Sequence, residues 1–330
     1  MTGTRRVLGL SRTVSGSGNR LGRQGFVRRT LAMGMIALFV SLFLLWSCAA
    51  LGDTISIGAQ VAGALGVIEP EAVDSISRSG QAISRAAEEI TPEQEYYIGR
   101  AVGANILSRY KVWQGNAGLT KYLNEICMVI VINSPRPEIY NGYHVAILDS
   151  MEINAFATPG GHIFITRGLL ACADSEDSLA AVIAHEIGHI QLQHSIKAIK
   201  NNRITKAIMT TASSAARTLG SDDLNELADI MDESVNEIIT TLIDKGYSQE
   251  QEFGADAAAM SLLAAAGYDP AGLISMLQQL EKNQRNQTGG LIKTHPTPSR
   301  RIERARDTVL RFKVPDTRSY RTARYRQITG

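Results

Sequence analysis

The sequence contains no Cys-x-x-Cys pair and only three cysteines, Cys48, Cys127 and Cys172, so thiolates do not supply a metal site here. No acid interrupts the arginines that come before residue 30 (Arg5, Arg6, Arg12, Arg20, Arg23, Arg28 and Arg29), and a second basic stretch runs from Lys293 to Arg326. Neither end interleaves aromatics beyond Tyr320 and Tyr325, and neither shows a binding module, which argues against nucleic acid as a partner. With basic ends and a net charge of only +2, the middle of the chain is net acidic. What is present is bulk: 330 residues, 44% of them hydrophobic, enough for one large domain or two ordinary ones.

From Leu31 to Leu51 the chain is apolar and uncharged, directly after the arginines. That order is a positive n-region followed by an h-region, an export signal or a membrane anchor. The segment ends Leu45-Trp46-Ser47-Cys48-Ala49-Ala50, which resembles a bacterial lipoprotein signal. Cys48 would then be the lipid-carrying first residue of the mature protein, with Ala49 compatible with sorting to the outer membrane; Trp46 is atypical for that motif. The competing reading is an uncleaved transmembrane helix, since about 20 apolar residues suffice to span. Either reading places the chain beyond Leu51 outside the cytoplasm, on the periplasmic side of a cell envelope. In an oxidising compartment Cys127 and Cys172 can pair, but their apolar flanks read as two buried free thiols.

Residues 53–68, with Gly58, Gly63 and Gly66, read as a flexible or membrane-proximal connector, and Glu71 to Ile90 as an amphipathic helix. The segmentation is therefore 1–48 signal or anchor, 49–90 linker and helix, 91–312 folded domain, 313–330 basic tail. The domain opens on Thr91-Pro92-Glu93-Gln94, with Thr as N-cap, Pro at N1 and Gln closing a capping box, and a helix to about Ser108. Gly118 to Asn133 reads as a second helix. Then come short apolar runs, His144 to Leu148, Asn154 to Ala157 and His162 to Thr166, the last two separated by Pro159-Gly160-Gly161; they predict a small antiparallel sheet with a hairpin. Its last strand (His162, Ile163, Phe164, Ile165, Thr166) is either ordinary core or an edge that takes an extended peptide by strand addition.

Chemistry concentrates in Ala184-His185-Glu186-Ile187-Gly188-His189, inside the apolar run from Leu179 to Ile190. On a helix the two imidazoles fall one turn apart on one face with Glu186 beside them, a geometry that holds zinc and activates a water. Ser175-Glu176-Asp177 caps this helix and complements its dipole. Gly188 between the two histidines predicts that another element packs closely there. The third His and the Gly that a metzincin needs are missing, since Leu192 and Ser195 occupy those places; His194, one residue short, reads as a surface histidine. Ile204 to Leu219 and Asp222 to Asp244 predict an inserted helical hairpin packed over or beside the site, or a mobile lid. Further on, Glu252 and Asp256 lie one turn apart on a helix of small residues. Two His and one Glu with a water in the fourth place form a catalytic zinc set, and Asp256 would then orient a ligand histidine from behind.

Four stretches together resemble the HtpX/BepA-type zinc metallopeptidases of the gluzincin group: Asn154-Ala155-Phe156-Ala157-x-Pro159-Gly160-Gly161 with the strand after it and Arg167-Gly168-Leu169-Leu170; His185-Glu186-x-x-His189; Ser248-x-x-x-Glu252-x-x-x-Asp256; and His295-Pro296 with Arg301-Ile302. The resemblance covers roughly Thr91 to Leu310. It implies an α+β fold, mostly helical, one Zn2+ per chain on His185, His189 and Glu252, Glu186 as the base, and His295 near the metal, either closing its open position or acting on the reaction intermediate. It further implies substrates bound as an extended strand along His162 to Thr166. For a lipoprotein-like member, these substrates would be unfolded or misassembled envelope proteins; the alternative is an assembly and quality-control factor that binds them with its peptidase latent. Gln249 departs from the family, which usually has Arg there to make a supporting salt bridge. Past Ile302 no helical repeat is recognisable, so partner binding through repeats is not implied.

Overall fold

A computed structural model describes residues 48–201, 236, 238–284, 295, 297–314 and 316–329. The predicted signal or anchor ahead of Cys48 and most of the predicted helical insertion lie outside the described residues. The chain divides into two units, Met1–Ser84 and Arg85–Gly330.

In the first unit the expected connector is helical. α1 (Cys48–Ala64) and α2 (Pro70–Ala87) form a hairpin, and glycines at its seam let the two helices approach. A Cβ on Gly52 would lie 2.3 Å from the carbonyl oxygen of Gly80, so only glycine lets the two backbones approach this closely. Ser84 donates to Asp53 at 2.9 Å across the same seam. Among the described residues no helix is long and apolar enough to cross a membrane.

The second unit is α+β, mostly helical. It begins at α3 (Pro92–Arg109), where Thr91 Oγ1 accepts from the Gln94 N–H at 3.2 Å and the Thr91 N–H donates to Gln94 Oε1 at 2.9 Å, the expected capping box. α4 (Ala117–Ile132) comes next, then β1 (His144–Leu148), β2 (Ala155–Ala157), a turn at Pro159–Gly161, and β3 (His162–Thr166).

The sheet is mixed rather than antiparallel, with order β1-β3-β2. The Pro-Gly-Gly turn does fold β2 back on β3 as an antiparallel hairpin, with Phe156 opposite Phe164. The segment before β2 crosses the sheet, so β3 returns between the other two strands and pairs with β1 in parallel. Of the two readings of His162, Ile163, Phe164, Ile165 and Thr166, this leaves ordinary core and rules out the substrate edge: β3 is central, and its backbone groups are paired on both sides. The outer edge of β1 is covered as well, by Asn124, which exchanges two hydrogen bonds with Val145, and by the Trp113 N–H donating to Ile147 at 2.7 Å.

Alternation along the strands separates two cores. Ile163, Ile165, Ala155 and Ala157 face a core shared with α4 and the helices later in the chain, while Phe164 and Phe156 face Ile98, Val102 and Ile106 of α3. After the short helix α5 (Arg167–Leu170) comes α6 (Glu176–Gln191), buried along nearly its whole length. A π-helical turn (Thr240–Lys245) leads into α7 (Gln249–Ala265), then α8 (Ala271–Gln284), α9 (Pro298–Val309) and α10 (Arg318–Thr329). Cys127 and Cys172 are free and buried, as expected.

The predicted basic tail is in fact α10, docked by its arginines. The buried Arg321 guanidinium lies 2.9 Å from Asp177, and Arg324 pairs with Glu176, which also accepts from the Tyr122 hydroxyl at 2.8 Å. The acids that cap the α6 dipole thus have a second use, holding the last helix against the start of α6.

Candidate active site

His185 and His189 lie on the buried face of α6 (6% and 2% exposed), with Glu186 3% exposed between them. α7 begins at Ser248, whose side chain caps Gln251 and is capped in return. Its Ala- and Gly-rich start lets the helix lie close on α6, bringing Glu252 (0% exposed) and Asp256 to the histidines. A Cβ on Gly188 would lie 3.0 Å from the Ala255 carbonyl oxygen, which is the close packing that the glycine predicted. Gly188→Ala forces the α7 backbone to give, and we expect it to lose ~1–3 kcal/mol to overpacking, against a helix-propensity gain of at most ~1 kcal/mol. A lower thermal midpoint checks this.

Among the described residues, one atom each of His185, His189, Glu252 and His295 can be chosen so that all four lie within 4.8 Å of one another. His295 comes from the segment just before α9. Glu252 Oε1 lies 2.7 Å from His295 Nδ1 and 3.5 Å from His189 Nε2, and Oε2 lies 3.5 Å from His185 Nε2. Yet both Glu252 oxygens and His295 Nδ1 are buried without an aligned hydrogen-bond partner. Lone pairs that crowd together without bonding one another fit a shared cation, and two or three imidazoles plus one carboxylate form a zinc-type donor set.

Behind this cluster sits a charged support. Asp256 Oδ1 lies 3.0 Å from His185 Nδ1, and Asp256 accepts from Arg301 Nε at 2.8 Å and Nη2 at 2.6 Å. Arg301, on α9 and 3% exposed, also reaches within 3.4 Å of Glu252 Oε2. Burial alone would raise the Asp256 carboxyl; Arg301 outweighs it and holds it below the usual carboxylate range. Burial likewise opposes ionisation of Glu252, but His295, His185 and His189 keep it well below its ordinary value. Burial and Arg301 push His185 down, yet Asp256 and Glu252 prevail and raise it to about 9, so a metal here displaces a proton. Burial takes His189 down to about 3, leaving a neutral imidazole able to ligate. Glu186 is raised, chiefly by burial, which is the direction a general base needs.

Three residues that support the cluster escaped the sequence reading, two of them against His189. Tyr247 stacks on its ring at 4.1 Å, with its hydroxyl 2.7 Å from Ser195 Oγ. His194 is buried rather than on the surface, with Nδ1 2.9 Å from His189 Nδ1. Both follow helix ends, where helical spacing gives no signal. Arg301 stood in a motif of the resemblance but carried no role until its partners were seen.

Among the described residues the sheet edge that pairs with no further strand belongs to β2. The Thr166 N–H donates to Asn154 and the Thr158 N–H to His162, which points Asn154, Phe156 and Thr158 at β3 and turns the backbone of Ala155 and Ala157 outward. The Ala155 N–H is taken by the Asn154 side chain. Among the described residues no hydrogen bond reaches the Ala157 N–H or carbonyl, and Ala157 lines a narrow cavity together with His189, Glu95 and Gln193.

Comparison with known proteins agrees with this arrangement. The family description "Peptidase family M48" matches residues 118–309. The beta-barrel assembly-enhancing protease of Yersinia pestis is 27% identical over 213 residues, 61% of this chain and 41% of that protein. Metalloprotease LoiP of Escherichia coli is 31% identical over 156 residues, covering 47% of this chain and 58% of LoiP. The mitochondrial metalloendopeptidase OMA1 of Arabidopsis thaliana is 29% identical over 159 residues, 48% of this chain and 30% of OMA1. Each match thus spans less than two thirds of the relative. Since the family match takes in more than half of the 330 residues and all four members of the buried cluster, the chain belongs to peptidase family M48.

Proposed function

We propose that this protein is a zinc-dependent endopeptidase of the cell envelope that cleaves unfolded or misassembled proteins. The observation that carries the reading is the convergence of His185, His189 and Glu252 with orphaned, buried donor atoms next to a buried Glu186. His185, His189 and Glu252 would hold the metal. When bound, zinc polarises a peptide carbonyl and lowers the pKa of a water towards neutrality. Glu186, with its carboxyl raised by burial, takes the water's proton and returns it to the leaving amine. Asp256, fixed by Arg301, keeps the His185 ring oriented.

The substrate lies along β2 rather than β3. An extended peptide adds to the outward backbone groups of Ala157, beside His189, and so passes the cluster. The envelope setting rests on the names of the relatives, one of which is a beta-barrel assembly-enhancing protease, and on the Arg-rich then apolar N-terminus, read as a lipoprotein signal ending at Cys48 or as a membrane anchor. Outer-membrane attachment through a Cys48 lipid belongs to the first of those two readings.

The second reading, a binding factor with latent peptidase, is favoured by one contact: His295 is 9% exposed and stands 2.7 Å from Glu252, inside the cluster. One assay separates the two. Cleavage of an unfolded β-barrel precursor is followed with the wild type, with the chelated and zinc-restored protein, and with His295→Ala. Cleavage that stops on chelation and returns with zinc supports the peptidase; no cleavage by zinc-loaded wild type overturns constitutive activity. His295→Ala gains activity if His295 closes the site and loses it if His295 acts on the substrate.

A further inference from the structure

The segment that leaves α6 is built to return a side chain to the helix it has just left. Gln193 takes a left-handed backbone (φ 54), which a non-glycine residue adopts only where its surroundings hold it. Its N–H donates to Ile190 at 3.0 Å, and its side-chain amide lies 3.5 Å from Glu95 Oε2. The turn brings the next residue, His194, back over His189, while Ser195 ties the subsequent step to Tyr247.

From this geometry we infer that His194 is a positioning residue for His189: its Nδ1 accepts a hydrogen bond from the His189 Nδ1–H and thereby fixes which nitrogen of His189 is free to bind metal. The inference rests on the proposed metal site. His189 Nε2 is the nitrogen that faces His185 and Glu252, so its proton must sit on Nδ1. The atom 2.9 Å from that proton-bearing nitrogen is His194 Nδ1, which can accept only if His194 carries its own proton on Nε2. Tyr247 fixes the plane of the His189 ring by stacking at 4.1 Å, and His194 fixes its rotation within that plane.

The test compares zinc affinity, by competition with a chromophoric chelator, for wild type, His194→Asn and His194→Leu. Asn places an acceptor where Nδ1 stands, and Leu has nearly the same volume with none. Asn should bind within a few-fold of wild type, and Leu ~10–100-fold more weakly, the usual cost of losing such a partner. Thermal midpoints of the metal-free variants should not follow that order. Leu binding as tightly as Asn overturns the inference, and so does an equal loss in both, which would mean that His194 only fills space. Zinc-loaded wild type labelled with ¹⁵N-histidine gives an answer that needs no variant: a proton on His194 Nε2 supports the assignment and one on Nδ1 overturns it. Wild type that binds no zinc fails the metal site itself, a result distinct from any ordering of the variants.

Discussion

Glu186→Gln retains its zinc and loses cleavage by ~10²–10⁴-fold, the range expected when a general base is removed. The amide keeps the shape of the carboxylate and its place on α6, and it cannot take up a proton. None of the donor atoms of the cluster belongs to Glu186, so metal content should match wild type, as measured on the same sample. Its burial sharpens the expectation. A carboxylate 3% exposed is destabilised in its ionised form, so the substitution removes an unfavourable charge and should leave stability equal or higher. Equal cleavage by wild type and Glu186→Gln on an unfolded substrate would sink the assignment of the base. Zinc loss in the variant would instead place Glu186 among the ligands.

Much of this was legible in the sequence because helix periodicity, capping residues and an i,i+4 pair of histidines are local signals. Thr91 with Gln94, Ser175 ahead of α6 and Ser248 ahead of α7 each stand where they cap. Gly188 announced a close neighbour, and Ala255 is that neighbour. What could not be read was set by long-range pairing. Strand order depends on where the chain crosses, so the sequence leaves β3 open between core strand and edge, and only the fold puts it between β1 and β2. The arginines after residue 313 look like a solvated run until Glu176 and Asp177 are seen opposite them. The stretch 53–68 reads as a connector until the partner helix is seen, where a Cβ on Gly63 would lie 2.3 Å from Val73 Cγ2. His194 lies beyond a helix end, and only the left-handed Gln193 turns it inward.

Arg301→Met should be the most damaging single change to the metal-free fold. Arg301 is 3% exposed, forks onto Asp256 and reaches Glu252, so its loss leaves two buried carboxylates with only the histidines of the cluster facing them. Breaking a buried pair by removing one partner costs ~3–5 kcal/mol. For a unit of this size that lowers the thermal midpoint by roughly 10 °C. The pH dependence identifies the cause. In wild type the folded pKa of Asp256 is depressed, so its contribution is present above the unfolded value of ~3.9 and is lost as pH falls through the folded one. In Arg301→Met burial acts on Asp256 with much less opposition and raises its folded pKa. The penalty is then largest at neutral pH and shrinks as acid protonates the carboxyl. The gap between the two midpoints, measured in chelator, should therefore narrow on going from pH 7 towards pH 4. Arg301→Met combined with Asp256→Leu should recover most of the stability, because the unpaired charge is gone, while zinc affinity stays ~10–100-fold below wild type for want of the His185 partner. A double variant as unstable as the single one would mean that Arg301 matters for its packing and not for the carboxylates it holds.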